Sequence, residues 1–472
     1  MTDFILRSAE LIAWAVLISG FFLGALYLTL LLVAAVSMAR RHIERDPSRL
    51  SRQFGTNSPG VSILVPAFNE TQTVVDSVRA LLRQNYHNFE VVVINDGSTD
   101  DTWDALHEAF ELHSQMIPDD SHSAIRSIYV SNIYPLKIVD KVNGGKGDAL
   151  NVGISVASLP LFCAIDADSV LEPDALLRAV QPFVEDETTL AVAGTVRVGN
   201  DCQMRNGHVV TAAVPNRWLP AIQSVEYLRA FLIARYGWSR LGALMIVSGA
   251  FGMFDRSRVM AAGGYATDTV GEDAELIVRL HRHERDAGRP APIHFVPEPV
   301  CWTQVPDGLG DLSIQRRRWQ RGALETIGKH RRMIISPRYG NSGWLGLGSM
   351  ALIDAVGPAL EIAGYLAAFI LALFGLISWG IFFALFAATS AFGFLLSAAA
   401  IALEEIEIRR FSNRTAVLKL LLAAIVENLG YRQLSNLWRL QGSLDHLRGR
   451  KGWGKITRSP FRSHTGPDQA KS

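Results

Sequence analysis

Hydrophobic positions fall along this chain in three regimes. From Leu11 to Val36, 26 residues pass without a charge, which is enough for one tilted helix to cross a hydrocarbon core of about 30 Å. Near the other end, Ile362 to Leu403 is a second uncharged run, of 42 residues. A single helix of that length would reach roughly 60 Å. The run therefore predicts a helical hairpin turning near Ser378, Trp379 and Gly380. Two flanking stretches each read as either an interfacial amphipathic helix or a further span: residues 344–360, with Asp354 and Pro358, and residues 415–440, with Lys419, Glu427, Arg432 and Arg439. Between about 58 and 335 the pattern changes. "VSILVP", "FEVVVIND", "LFCAIDAD", "LAVAGTVRV" and "LMIVSGAFGMF" are short, nearly continuous apolar runs that predict buried strands. Helical stretches over 70–83, 146–158, 173–183 and 272–287 alternate with them, which predicts an α/β domain on a largely parallel sheet.

Charge orients this plan. The first apolar run is too long for a signal-peptide core, and only Arg7 precedes it, so it reads as an uncleaved anchor. Arg40, Arg41, Arg45, Arg49 and Arg52 follow directly, and the positive-inside rule places the next domain in the cytoplasm. The basic tail "LRGRKGWGK" favours an even number of C-terminal spans. The expected organisation is an anchor (11–37), a basic linker (38–57), an α/β domain (58–335), a membrane region (336–440, with a hairpin at 358–403) and a basic cytoplasmic tail (441–472). A net charge of +1 gives no bulk attraction to nucleic acid. Cys163, Cys202 and Cys301 are widely spaced, which excludes a disulfide framework or a zinc site and predicts three small buried hydrophobes.

Ligands of α/β sheets bind beyond the carboxyl ends of the strands. Acids cluster there in this sequence: Asn69-Glu70, Asn95-Asp96 and Asp166-Ala167-Asp168. In an extended strand Asp166 and Asp168 project to one face and repel unless a cation or a hydrogen-bond network holds them. "NDGSTDDT" is equally well explained as a turn and a helix cap. "NGGKGDALN" departs from the phosphate-loop pattern, yet its glycines and Lys146 at a helix start suit an anion. His281 and His283 lie two apart on a helix and read as solvated. Glu272 and Asp273 of "GEDAEL" suit a helix's first turn. In "QRRRWQRG", Gln315, Arg318, Trp319 and Gly322 share one helical face, which fits either a basic interfacial helix or an arginine and an aromatic set for a diphosphate beside a sugar.

Taken in this order, these stretches resemble the processive, membrane-embedded synthases of glycosyltransferase family 2, the group of poly-N-acetylglucosamine, chitin-oligosaccharide, hyaluronan and cellulose synthases. The resemblance runs from about Val61 to Gly322. It implies a GT-A, Rossmann-like cytoplasmic domain inserted between N- and C-terminal transmembrane helices. It also implies roles. "VPAFNE" puts Phe68 and Glu70 beside the nucleotide, and "NDGS" makes Asp96 the uridine-binding acid. "DAD" sets Asp166 toward the nucleotide sugar and Asp168 on Mg²⁺ or Mn²⁺. "GED" makes Asp273 the general base. "QRRRW" matches Q-x-x-R-W, with Gln315, Arg318 near the diphosphate and Trp319 under the acceptor sugar. Ser248 and Gly249 of "VSGAFG" line the acceptor side, and Lys146 meets the diphosphate.

The implied activity is inverting, metal-dependent β-glycosyl transfer from a UDP-sugar, with UDP-N-acetylglucosamine as the leading donor, to a growing polysaccharide at a bacterial inner membrane. The implied partners are the donor, a polysaccharide or lipid-linked acceptor, membrane lipids and a small membrane subunit, without nucleic acid. Two alternatives stand beside it: a non-processive transferase acting on a lipid, and a catalytically inactive sugar-nucleotide-binding or export subunit.

Overall fold

The computed structural model describes residues 2–40, 58–117, 124–205, 208–408 and 413–450. Most of the expected linker, including Arg41, Arg45, Arg49 and Arg52, lies outside the described residues, as do Arg409, Arg410 and the tail beyond 450. Contacts group the described residues into two compact units, one of 58–215 and 244–305, the other of 2–40, 216–243 and 306–450. The 58–335 stretch thus contributes to both.

The first unit is built on a ten-stranded sheet, in the order β3-β4-β5-β2-β1-β6-β11-β8-β12-β7. Its strands are β1 (Val61–Ala67), β2 (Phe89–Asn95), β3 (Leu112–Gln115), β4 (Ile125–Ser131), β5 (Leu136–Lys141), β6 (Leu161–Ala164), β7 (Val170–Leu171), β8 (Ala191–Val198), β11 (Gly252–Asp255) and β12 (Ile293–Thr303). A separate ribbon pairs β9 (Gln203–Arg205) with β10 (His208–Thr211). The largely apolar runs of β1, β2, β6 and β8 are buried almost throughout, as strands covered on both faces must be.

Strands β5, β2, β1 and β6 run parallel. The sheet as a whole is mixed, however, because β11 lies antiparallel between β6 and β8. That reversal matters for function. Gly252, the first residue of β11, sits opposite Ala164, the last of β6. The loop before β11 therefore reaches the same sheet edge as the carboxyl ends of its parallel neighbours.

Two expectations about strands change. "LMIVSGAFGMF" is a strand only from Gly252; before that, Phe251 N–H bonds to Ser248 C=O at 3.0 Å and turns the chain. Strand β6 stops at Ala164, and Ser169 N–H returns to Asp166 C=O at 3.0 Å. Asp166, Ala167 and Asp168 thus belong to a turn, and strand alternation does not set their directions. The turn still buries Ala167 and leaves both carboxylates partly exposed.

The helices that follow these strands are α2 (Val74–Leu81), α3 (Thr102–Ala109), α4 (Lys146–Val156), α5 (Ala175–Glu185), α7 (Arg256–Ala261) and α8 (Glu272–Asp286). All three cysteines are free and buried.

The other unit is helical: α1 (Thr2–Arg40), α6 (Trp218–Leu228), α9 (Leu309–His330), α10 (Gly357–Leu373), α11 (Trp379–Glu407), α12 (Arg414–Val426) and α13 (Arg432–Leu447). Among the described residues, three stretches are long and apolar enough to cross a membrane: Ile18–Arg40, Ser342–Leu373 and Trp379–Ile406. Residues 344–360 thus continue into the second stretch. The hairpin turns between Leu373 and Trp379, where the Ser378 hydroxyl caps α11 by accepting the Ile381 N–H at 3.2 Å.

Candidate active site

Four parallel strand ends lie side by side in the order β5, β2, β1, β6. They carry Lys141, Asp96, Phe68 and Asp166 to one edge. Asp96, just past β2, is buried and heavily bonded. Its Oδ1 accepts from Lys141 Nζ at 2.5 Å and Gly144 N–H at 2.9 Å, and its Oδ2 from Gly145 N–H at 2.8 Å. Asn143 Nδ2 donates to the Asp96 carbonyl at 2.7 Å. Glycine is required in this embrace. Gly97 has φ +67°, and a Cβ on it would stand 2.7 Å from Asn143 N. A Cβ on Gly144 would meet Asp148 Oδ2 at 2.2 Å.

Lys141 is the site residue that sequence reasoning missed. Its side chain is 0% exposed, and Nζ also reaches Asp148 Oδ2 at 2.8 Å and the Val142 carbonyl at 2.6 Å. It neutralises two acids and pins the 142–148 loop to β2. A signal existed: "LKIVDK" closes an apolar strand on a charge, as "VVVIND" does.

The loops after β1 and β2 interlock. Asn69 adopts φ +57°, unusual for a residue with a side chain. Its N–H donates to Ser98 Oγ at 3.0 Å and its Oδ1 accepts the Thr99 N–H at 2.8 Å. Glu70 N–H donates to Thr102 Oγ1 at 2.8 Å, and the Glu70 carboxylate accepts from Thr73 Oγ1 at 2.8 Å. Phe68 is left 48% exposed, an aromatic face offered to solvent at the rim.

A second cluster joins β6, α4, α8 and the β11 loop. Lys146, the first residue of α4, places Nζ 2.5 Å from Asp166 Oδ1 and 3.7 Å from Glu272 Oε1. Burial works against the ammonium, but Asp166, Glu272 and Asp273 more than offset it and hold the Lys146 pKa above its ordinary value. Asp273 Oδ2 accepts the Gly249 N–H at 3.1 Å, and its Oδ1 accepts the Ala274 N–H at 2.8 Å. A Cβ on Gly249 would stand 2.9 Å from Lys146 Nζ and 3.3 Å from Asp273 Oδ2. Gly249 thus marks where the Lys146–Asp166 pair meets Asp273. Ser248, one residue earlier, is partly exposed.

Asp168 is partly exposed beyond the same turn. Burial raises the Cys301 thiol pKa, and the charges of Asp166, Asp168 and Glu172 add to that. Among the described residues no group of three or more His, Cys, Asp or Glu side chains could by itself enclose a metal ion. Asp166 and Asp168 nonetheless suit a hard cation that takes few protein oxygens and completes its shell with water and phosphate, as Mg²⁺ and Mn²⁺ do.

His281 departs from expectation. It is 1% exposed, with Nε2 3.0 Å from the Leu244 carbonyl, and burial pushes its pKa down to about 4. Facing the core rather than solvent, it ties α8 to the start of the loop that carries Gly249.

Gln315, Arg318 and Trp319 stand on α9, in the helical unit. Trp319 is 42% exposed, with Arg318 and Gln315 half-buried beside it. The arginine stacked on the Trp319 ring, 4.5 Å from its centroid, is Arg316, which also pairs with Glu226 at 2.7 Å and reaches Tyr431 Oη at 3.2 Å.

A fold whose parallel strand ends gather acids and a lysine in this way is that of a GT-A glycosyltransferase. Residues 62–211 match the model of glycosyl transferase family 2, and residues 161–403 match that of glycosyl transferase family group 2. The second match alone covers more than half of the chain, which belongs to this glycosyltransferase family. Over 269 residues the chain is 30% identical to the poly-β-1,6-N-acetyl-D-glucosamine synthase of Staphylococcus epidermidis, covering 57% of this chain and 55% of that protein. The synthase of that name from Staphylococcus aureus (strain COL) is 28% identical over 268 residues, with the same coverage. The chain therefore spans about half the length of the curated relatives it matches. A mannosyltransferase from Pyrobaculum calidifontis, solved with GDP-mannose and Mn²⁺, superposes with a TM-score of 0.53 at 20% identity, over 90% of this chain and 99% of that one. At that identity the likeness is one of fold.

Proposed function

We propose that this protein is an inverting, metal-dependent β-glycosyltransferase that extends a polysaccharide from a UDP-sugar at a bacterial inner membrane, with its sheet domain in the cytoplasm. The observation that carries the reading is the junction at Gly249, where Lys146 and Asp166 meet the acid of the "GED" stretch. That is the arrangement needed to hold a leaving diphosphate beside a base. Asp273, fixed by two backbone N–H groups, takes the proton of the acceptor hydroxyl as it attacks the anomeric carbon. One displacement assisted by one base inverts the centre, so an α-linked donor gives a β-linked product.

Asp166 and Asp168 would hold Mg²⁺ or Mn²⁺, which when bound supplies positive charge to the departing diphosphate. Lys146 adds fixed charge beside it. Phe68 and Glu70 border the nucleotide. Asp96 is assigned to the uridine on the "NDGS" pattern, and its Lys141 and glycine contacts hold the carboxylate in place. Arg318 is assigned to the diphosphate and Trp319, with Gln315, to the acceptor sugar on the Q-x-x-R-W pattern, while Ser248 and Gly249 lie on the acceptor side. UDP-N-acetylglucosamine is the proposed donor, supported by the names of the curated relatives. A small membrane subunit remains part of the proposal.

The test incubates the purified, lipid-reconstituted chain with a panel of labelled UDP-sugars and sizes the product. Polymer from UDP-N-acetylglucosamine that disappears in excess EDTA is the expected result. Full activity in EDTA would remove the metal from the reading. A single sugar transferred to lipid would replace polymerisation with lipid glycosylation.

A further inference from the structure

α12 is 13 residues long, about 20 Å, and falls short of the roughly 30 Å needed to cross a bilayer. Its charges are confined to Arg414, in the first turn, and Lys419, which is half-buried and donates to the Asn216 carbonyl at 2.9 Å. Leu420, Ala423 and Ala424 are fully buried, and α12 packs against α6 and α11. The opposite face is exposed and, beyond Arg414 and Thr415 in the first turn, apolar: Leu418, Leu422, Ile425 and Val426, continued by Leu429. These positions recur at helical spacing.

The end of α12 meets α11 near the middle of its candidate span. Ser397 Oγ donates to Glu427 Oε2 at 2.8 Å and Ser390 Oγ to the Asn428 carbonyl at 3.3 Å, both within Trp379–Ile406. The helix then breaks at Leu429 and Gly430, where Gly430 has φ +143°. α13 returns antiparallel to the other candidate span. Arg432 pairs with Glu361 at 3.1 Å and Arg439 with Asp354 at 2.5 Å. The two rungs are seven residues, or about 10 Å, apart along each helix. The far end of α13 bonds to α9 through Arg317 and Asp445. Polar groups at the tip are partnered: Arg229 pairs with Glu427 at 2.6 Å, and Asn428 Nδ2 donates to the Ala424 carbonyl at 2.9 Å. Non-helical backbone is tolerated at membrane depth when protein surrounds it in this way.

We propose that α12, the Glu427–Tyr431 turn and α13 form a re-entrant hairpin. It dips from the membrane face where α11 ends to about the bilayer middle and returns to that face. Lipid acyl chains cover Leu418, Leu422, Ile425, Val426 and Leu429. This rests on reading α10 and α11 as spans.

Single nitroxides at Leu418, Ile425, Leu429 and Leu447, in the full chain reconstituted in liposomes, test it by collision with oxygen and with a water-soluble nickel chelate. Leu395, 63% exposed on α11, is the span control. The parent chain, whose cysteines are buried, gives the background. Immersion depth should rise by about 10 Å or more from 418 to 429, with 447 back in water. Equal shallow depth at 418, 425 and 429 would make α12 an in-plane helix. Access to 429 from chelate confined to the opposite face would make it a crossing. Water contact at all three, with 395 deep, would overturn the hairpin alone; water contact at 395 as well would overturn the spans beneath it.

Discussion

Both units bury charge, and they treat it differently. In the helical unit three acids meet arginines one to one: Glu361 with Arg432, Asp354 with Arg439, Glu427 with Arg229. At the sheet edge the carboxylates outnumber the lysines. Lys141 is shared by Asp96 and Asp148, Lys146 by Asp166 and Glu272, and Asp273 relies on backbone N–H groups. Balanced pairs leave nothing over for a ligand and serve packing. An edge with surplus acid holds its shape through lysines and amides and leaves carboxylate over for the cation and the proton of the proposed reaction. The difference between a structural and a chemical use of buried charge is therefore one of local balance.

The sharpest way to break this comparison is at Asp273. Asp273→Asn keeps the size of the side chain and one of its two accepted backbone N–H bonds but removes the proposed base. Turnover should fall by about three to four powers of ten, with UDP affinity, read by calorimetry, nearly unchanged. Near-normal turnover would move the chemistry elsewhere.

Lys141→Met tests whether the sheet edge depends on a shared counter-charge. It strands Asp96 and Asp148, and destabilisation of about 3–5 kcal/mol is expected in denaturant titration, together with weaker UDP binding. An unperturbed melt would show that the glycine amides suffice.

His281 gives the pH test. Its folded pKa, about 4 against the ordinary 6.5, lies below that of the unfolded chain, so the unfolded state gains the proton first as pH falls. The stability cost is absent above pH 6.5 and grows as pH drops toward 4. It reaches about 3 kcal/mol. His281→Gln should flatten the wild-type decline in melting temperature across that window, and an unchanged slope would exclude this histidine as the cause.

The smallest effect is expected in the helical unit. Glu361→Gln retains a hydrogen bond to Arg432 and should cost about 1 kcal/mol in detergent unfolding, without altering UDP affinity. A large loss of UDP binding would make these pairs more than packing.

Much of this was legible in the sequence. Period and length marked the apolar spans, and short, nearly continuous apolar runs marked β1, β2, β6 and β8, because burial on both faces leaves such a signature. Helices at 146–156, 175–185 and 272–286 fall where the alternation put them. Short polar edge strands such as β3, "LHSQ", carry no such signature, because half their surface meets water.

By itself, then, the sequence determined the family, the candidate membrane spans and the acids at strand ends, since each is written in local composition and spacing. Only the tertiary structure decided that β11 runs antiparallel and brings Gly249 to Asp273 and Lys146. It alone decided that Lys141 lies beneath Asp96, that His281 faces the core, and that the arginine stacked on Trp319 is Arg316. Those facts depend on pairings between residues dozens of positions apart, set by sheet order and packing direction, which no local window contains.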